Sequence, residues 1–384
     1  MKVYLDNAAT TRLDPRVLAQ MKPYLTTEYA NASSIHFSGQ KANANLLAAK
    51  KMVAKAFKGE PENVIFTSGA TEANNFIIKG VARANRTDQK NKIIISEIEH
   101  PCVRESAFEL EREGFELVVL KPDAAGLIKP ETLRAVIDKK TILVSVMAVN
   151  NEIGTIQDIA ALAKIAHQYG AYFHSDIVQA IPYLTIDVKK MGLDFLSLSA
   201  HKFYGPKGVG VAYIDRKAKI RPLLSGGGQE DGYRSGTYNL PGIMGLAYAL
   251  ELAYKERKSY LKKIQGLRDY FWKTIRREIP DLKLNGSLDH RVPANLNIMF
   301  RSIEGEAILM DLSSKGIAVS TGSACSATNL RASYVLRAIG LDKNYLNSNI
   351  RFSFGRFNTR AEIAYTVRCL KGTIKRLRSF SPIR

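Results

Sequence analysis

Phe173-His174-Ser175-Asp176-Ile177-Val178-Gln179 and Asp194-Phe195-Leu196-Ser197-Leu198-Ser199-Ala200-His201-Lys202 are the two stretches that decide the fold of this 384-residue chain. Each is an apolar run of strand length that ends in polar, chemistry-bearing side chains. Outward from them the same pattern repeats. Between about Pro61 and Asp215, strands are expected at Val64–Thr67, Lys92–Ser96, Glu116–Leu120, 141–149, 171–174, Phe195–Ser199 and 208–214. Helical segments fall between them: one from Thr67 through Ala82, one after Ser96, and one over 156–169. Such alternation indicates an α/β domain with a mainly parallel sheet, helices on both faces and ligand groups at the strands' carboxyl ends. A long helical region, 241 to about 278, then leads into strands Asn295–Phe300 and 349–354. Helices near 305–315 and 333–339 alternate with these strands, which suggests a smaller α+β domain.

This length exceeds one small core, so two domains are the simplest arrangement. With 46% hydrophobic and 24% charged residues the composition is that of a globular protein. Met1-Lys2-Val3-Tyr4-Leu5-Asp6-Asn7 enters a strand pattern at once, without the apolar stretch of a signal peptide. No uninterrupted apolar run reaches spanning length; 242–254 comes closest and is broken by Glu251, so no membrane role is expected. Three cysteines, Cys102, Cys325 and Cys369, imply no disulfide framework, and a reducing cytoplasm is the expected compartment. The net charge of +20 reflects 56 basic and 36 acidic residues, densest in 254–277 and 371–378. Both stretches keep apolar residues at helical spacing, as solvated helix faces do, and a nucleic-acid arm would lack that spacing. Direct nucleic-acid binding is therefore not expected, although such charge favours encounter with acidic protein or RNA surfaces.

Lys202 and Asp176 are the chemically telling pair. An amine in need of a carbonyl partner and a carboxylate placed by a strand end are what pyridoxal phosphate (PLP) requires. The lysine makes a Schiff base, and the aspartate keeps the pyridine nitrogen protonated so that the ring accepts electrons. Taken alone, either residue would default to a bland reading, for Lys202 a surface lysine in a Gly/Pro-rich turn; their joint placement with a phosphate loop argues against it. Thr67-Ser68-Gly69-Ala70-Thr71-Glu72-Ala73-Asn74-Asn75 joins a strand to a helix through small residues. Free amides at that helix start suit a phosphate dianion, although a plain helix cap has the same composition. His100, in Glu99-His100-Pro101, either stacks on a cofactor ring and moves protons or only caps the turn before Pro101; spacing alone favours the cap. Asn151, in Asn150-Asn151-Glu152-Ile153-Gly154, is a polar contact or a turn former. Gly226-Gly227-Gly228-Gln229 with Arg234-Ser235-Gly236-Thr237 reads as a close-approach loop, either a turn or a second phosphate contact.

Cys325 lies in Ser320-Thr321-Gly322-Ser323-Ala324-Cys325-Ser326-Ala327-Thr328-Asn329, without the large apolar neighbours of a structural cysteine. Its small polar neighbours suit a loop that carries a thiol from a cofactor to a partner. Arg351, in Ile350-Arg351-Phe352-Ser353-Phe354, is expected on the polar side of an alternating strand. It reads there as a carboxylate clamp or as an ordinary surface arginine. No metal is expected.

Taken together, Ser68-Gly69-Ala70-Thr71-Glu72, Asn150-Asn151-Glu152-Ile153-Gly154, Ser199-Ala200-His201-Lys202, Arg234-Ser235-Gly236-Thr237 and Ser320-Thr321-Gly322-Ser323-Ala324-Cys325 resemble the NifS/IscS cysteine desulfurases. The resemblance runs from Tyr4-Leu5-Asp6-Asn7-Ala8-Ala9-Thr10-Thr11 to Arg351-Phe352-Ser353-Phe354-Gly355-Arg356, nearly the whole chain. The cysteine loop followed by Ser333-Tyr334-Val335-Leu336 is similar to the long-loop group and not to the SufS-like group. The resemblance implies a PLP fold-type I homodimer. Its large PLP-binding domain would span 15–257, and a small domain of 1–14 with 258–384 would carry the cysteine loop. Lys202 would form the Schiff base, Asp176 would pair with the pyridinium and His100 would lie over the ring. Gln179 and Asn151 would touch the ring and its phenolic oxygen. Ala70, Thr71, Ser199 and His201 would hold the phosphate, with Thr237 reaching in from the other subunit. Arg351, helped by Asn151, would grip the substrate carboxylate.

The activity so implied converts L-cysteine to L-alanine with a persulfide on Cys325. An iron–sulfur scaffold or another sulfur-acceptor protein would then receive that sulfur. Three departures stand out: Asn31-Ala32-Ser33-Ser34 lacks the family's usual second-position proline, Cys102 sits two residues from His100, and the chain stops at Ser381-Pro382-Ile383-Arg384, short of the family's scaffold-engaging tail. The rival readings are a selenocysteine lyase or aminotransferase on the same fold, of which Cys325 in its loop argues against a plain transaminase, and a basic RNA or sulfur-relay platform, against which the Lys202, Asp176 and Cys325 set argues.

Overall fold

The computed structural model describes residues 1–322 and 332–380. Strand β1 (Val3–Tyr4) precedes helices α1 (Pro15–Thr26) and α2 (Phe37–Phe57). The main sheet is then laid down by β2 (Val64–Thr67), β3 (Lys92–Ser96), β4 (Glu116–Leu120), β5 (Thr141–Ser145), β6 (Tyr172–Asp176), β7 (Phe195–Ser199) and β8 (Gly210–Ile214). Between them run α3 (Ala70–Asn85), α4 (Pro101–Arg112), α5 (Pro130–Arg134), α6 (Ile159–Gln168) and α7 (Val188–Met191). The seven strands stand in the order β2-β8-β7-β6-β5-β3-β4. Pairing is parallel throughout except at β8, which runs against both of its neighbours.

Period-two alternation explains why the sheet is covered on both faces. Ile93 and Ile95 of β3, Phe195 of β7 and Ala212 and Ile214 of β8 join α3 and α4 in one apolar cluster. Their intervening neighbours Ile94, Leu196, Leu198, Val211 and Tyr213 join α2, α6 and the following α8 (Leu240–Lys255) in another. Full burial of side chains such as Phe173 and Phe195 stabilises the layers by about 1.5–3 kcal/mol each.

The remainder comprises α9 (Arg257–Glu278), β9 (Leu282–Leu284), β10 (Asn295–Phe300), α10 (Gly305–Ser314), β11 (Ile317–Ala318), α11 (Tyr334–Ala338), β12 (Asn349–Ser353) and α12 (Arg360–Phe380). A three-stranded antiparallel sheet β12-β10-β9 packs there on a separate core that includes Phe271, Ile298, Phe352 and Ile374. Val3 and Leu5 belong to that same core, because β1 pairs with β11. Among the described residues no helix is long and apolar enough to cross a membrane.

Several boundaries differ from the sequence expectation: the strand expected over 171–174 is Tyr172–Asp176, the one over 208–214 starts at Gly210, and three further differences are larger. The strand expected over 141–149 ends at Ser145, because the Met147 amide donates to the Glu99 carboxylate at 2.7 Å. The helix expected from 156 begins at Ile159. Ile156 and Gln157 donate instead to His290 and Ala148 carbonyls, and Asp158 caps the Ala161 amide. The helical region after 241 divides at Glu256 into α8 and α9.

Candidate active site

A cavity of about 580 Å³ opens where the parallel strands of the main sheet end. Ala70, Thr71, His100, Asn151, Asp176, Gln179, Ser199, His201, Lys202 and Arg351 all line it. Thr237 does not; it lies in a neighbouring pocket with Arg234 and Gly236. Cys325 falls outside the described residues, although Gly322, just before that stretch, lines the cavity. Ser333, just after it, donates to the Glu152 carboxylate at 2.6 Å.

Asp176 is the last residue of β6. Its Oδ1 accepts from the Val178 amide at 2.9 Å and its Oδ2 from Asn74 Nδ2 at 2.8 Å. Burial pushes this carboxyl up from its ordinary value, opposed by the His100 charge, the two hydrogen bonds and Lys202. Lys202 follows β7 in a short 3₁₀ turn. Its Nζ donates to the carbonyls of Ala8 (2.7 Å) and Ala9 (2.8 Å), so the start of the chain is drawn across the cavity. Gln179 Nε2 grips the same Ala8 carbonyl at 2.8 Å.

His100 is a cap, as its spacing favoured, and its ring also faces the cavity. It caps α4, its Nδ1 accepting from the Cys102 amide at 3.3 Å. Burial, and then Lys202, hold its pKa below the ordinary imidazole value. With Nδ1 occupied by an N–H, the neutral ring carries its proton on Nε2. His201 is pushed down to about 4, chiefly by burial and then by Lys202 and Lys207, and its Nδ1 meets Thr10 Oγ1 at 3.0 Å. It is a neutral hydrogen-bonding group near pH 7.

Arg351 corrects its expectation. It is not on a polar strand face: every residue of β12 is buried and Arg351 is only 3% exposed. Its Nη2 pairs with Asp6 Oδ1 at 2.8 Å and its Nη1 donates to the Asn151 carbonyl at 2.8 Å. A buried guanidinium without such anchors would be costly. Arg351 Nε and Asn151 Oδ1 find no hydrogen-bond partner among the described residues.

These features fit PLP. α3 begins at Gly69, which has no side chain to cap the helix, so its first-turn amides remain available to a phosphate dianion. Gly210 lets β8 run directly beneath that turn; a Cβ there would lie 2.7 Å from the Gly69 Cα. Ser199 and His201 stand beside the turn, and orphaned buried groups at Arg351 and Asn151 await an anionic or polar ligand. No group of His, Cys, Asp and Glu among the described residues has the arrangement of a metal site.

Sequence reasoning passed over several participants. Asp6 holds Arg351, the Ala8 and Ala9 carbonyls hold Lys202, and Asn74 holds Asp176. Glu99 accepts from Ser96 Oγ (2.5 Å) and from the Met147 amide, and burial pushes its carboxyl up to about 8. Only Asn74 carried a usable signal, standing one helical turn after Ala70 and Thr71.

Comparison with known proteins shows the family. The class-V aminotransferase family model matches residues 3–365. "Cysteine desulfurase IscS" of Dictyoglomus turgidum is 45% identical over 381 residues, covering 99% of this chain and 96% of that protein. "Cysteine desulfurase" of Homo sapiens is 45% identical over 384 residues, covering 99% and 83%. A solved "NifS-like protein" superimposes with a TM-score of 0.93 at 37% identity, over 98% of this chain and 100% of the other. The chain belongs to the class-V aminotransferase family, among its PLP-dependent IscS-type cysteine desulfurases.

Proposed function

We propose that this protein converts L-cysteine to L-alanine, leaving a persulfide on Cys325 whose sulfur passes to an iron–sulfur scaffold or another acceptor protein. The observation that carries the reading is the convergence of Lys202, Asp176, His100 and Arg351 on one cavity beside an uncapped helix start. Bound PLP supplies an electron sink for the substrate's α-carbon. Lys202 would hold the cofactor covalently, and its amine, when not so engaged, would take up the substrate's α-proton. Asp176 anchors the ring nitrogen as its counter-charge. Ala70 and Thr71 amides, Ser199 and His201 hold the phosphate, while Gln179 and Asn151 contact the ring. Arg351 turns its remaining N–H groups to the substrate carboxylate, with Asn151 beside it. His100, neutral and protonated on Nε2, would donate a hydrogen bond at the substrate sulfur or carbon chain. The Cys325 thiolate attacks the substrate sulfur, forming an S–S bond and breaking the C–S bond. The electron pair of that bond stays with the three-carbon skeleton, which takes a proton and leaves as alanine.

The test is product analysis: cysteine is expected to give alanine and transferable sulfur in equal amounts, and formation of a keto acid instead would show an aminotransferase. Asp176→Ala is expected to retain the fold and lower turnover by on the order of 10²-fold or more, as removal of a buried charge partner does. Unchanged turnover would remove Asp176 from this role.

We further propose domains 15–257 and 1–14 with 258–384, and a cytoplasmic homodimer, checked by cell fractionation and sedimentation. Ile35 and Phe37 are 90% and 85% exposed, and Leu18, Leu25, Tyr29 and Leu47 are exposed nearby. Such apolar density is expected of a surface covered by a second copy. Thr237 stands outside its own chain's cavity, as befits a phosphate contact delivered across that interface. Ile35→Glu with Phe37→Glu is expected to sediment as a monomer; a monomeric wild type would exclude the arrangement.

A further inference from the structure

Beneath the cavity lies a layer of polar side chains that no catalytic role requires. Ser145, His174 and Ser197 project from β5, β6 and β7 toward the sheet face covered by α3 and α4, and with Asn74 of α3 they are 0% exposed. Burial of so many polar groups is costly unless each is paired. They are paired, and in one direction only.

Burial pushes His174 down to about 3, so its ring is neutral. Ser145 Oγ meets His174 Nδ1 at 2.8 Å, and His174 Nε2 meets Ser197 Oγ at 3.4 Å. Ser197 Oγ donates to Asn74 Oδ1 at 2.5 Å, which fixes the Asn74 amide with both of its N–H groups pointing away. One goes to Asp176 Oδ2 at 2.8 Å, the other to Cys102 Sγ at 3.1 Å. Having spent its single proton on Asn74, Ser197 must accept from His174, and His174 from Ser145. At the far end Cys102 Sγ lies 3.0 Å from His100 Nδ1 and donates its proton there.

We propose that Asn74, oriented by Ser197, is a positioning residue that fixes the Asp176 carboxylate as the anionic partner of the cofactor's ring nitrogen and ties it through Cys102 to His100. The inference rests on the role given to Asp176 above. The ionisable groups facing Asp176 are His100 and Cys102 of α4 and its cap, Lys202 after β7, and Glu99 before α4. Of these only Lys202 and a protonated His100 supply positive charge, so two neutral donors, the Val178 amide and the Asn74 side chain, hold the anion whatever the state of the substrate-facing groups, and Asn74 is the one that a side-chain substitution can remove.

The experiment is an absorbance-monitored pH titration of the PLP-loaded enzyme for the wild type, Asn74→Asp and Ser197→Ala. Asn74→Asp keeps the shape and removes both donors; Ser197→Ala releases the amide orientation. With Asp176 more readily neutral, the ring nitrogen loses its proton and the Lys202 linkage keeps its own to higher pH. The midpoint of the absorbance change is expected to rise by about one to two pH units in Asn74→Asp, and by less in Ser197→Ala. Turnover is expected to fall roughly 10- to 100-fold in Asn74→Asp. Loss of turnover with an unmoved midpoint would mark a merely structural role and overturn the inference. If Asn74→Asp does not fold, Ser197→Ala decides: a rise supports the proposal and an unchanged midpoint overturns it. A wild type that carries no PLP chromophore would instead defeat the proposed function, and this inference with it.

Discussion

Cys325→Ser is expected to load PLP and to bind cysteine like the parent enzyme, yet to release alanine about 10³-fold more slowly or worse. The groups that would hold cofactor and substrate, from Ala70 to Arg351, lie elsewhere in the chain and are untouched by the change. What disappears is the thiolate, and a serine hydroxyl at neutral pH is neither ionised nor soft enough to attack sulfur. Mass spectrometry after brief exposure to cysteine is expected to find one added sulfur on Cys325, and to see it leave when an acceptor protein is added. Cys102 is the informative rival, because it stands in the cavity itself. Burial, with Asp176 second, pushes its thiol up to about 12, so almost no thiolate exists there at neutral pH. Cys369 packs against the small core on α12 and serves as the control, with Cys369→Ala expected to retain full activity. Added sulfur recovered on Cys102 would overturn the assignment.

Lys202→Ala should still take up PLP, because the α3 amides, Ser199 and His201 remain, but borohydride should no longer fix the cofactor to the chain. Alanine formation is expected to fall about 10²–10⁴-fold from the missing proton transfer alone. Without cofactor, the variant also lacks the two hydrogen bonds from the Lys202 amine to Ala8 and Ala9, which hold the chain's first segment over the cavity. Each bond from a charged donor contributes about 1.5–3 kcal/mol, so the cofactor-free variant should show a lower Tm than the cofactor-free parent. Supplying PLP in excess separates the two effects, since it restores occupancy without restoring the base. A covalent adduct that survives at another lysine would rule out Lys202 as the attachment point.

Much of the architecture was legible in the chain itself. β2, β3, β4, β7 and β10 have the bounds expected of them, because a packed strand leaves a short apolar run bounded by polar residues. Lys202 and Asp176 were legible for a related reason: polar groups at the ends of such runs are tolerated only where they face a ligand or solvent. Cys325 is singled out by the smallness of its neighbours and by the resemblance; it lies outside the described residues, and its role is a proposal.

The tertiary structure decided what depends on distant partners. Arg351 looks like a strand's surface residue until Asp6, 345 positions earlier, is seen to neutralise it. His100 cannot be told from a plain cap until the cavity shows that its ring faces the site. Ser145, His174 and Ser197 read as interruptions of apolar strands, because hydrogen bonding between neighbouring strands and α3 leaves no mark on local periodicity. They pair with one another, Ser197 finds its acceptor in Asn74, and that geometry exists only once the sheet and α3 have met.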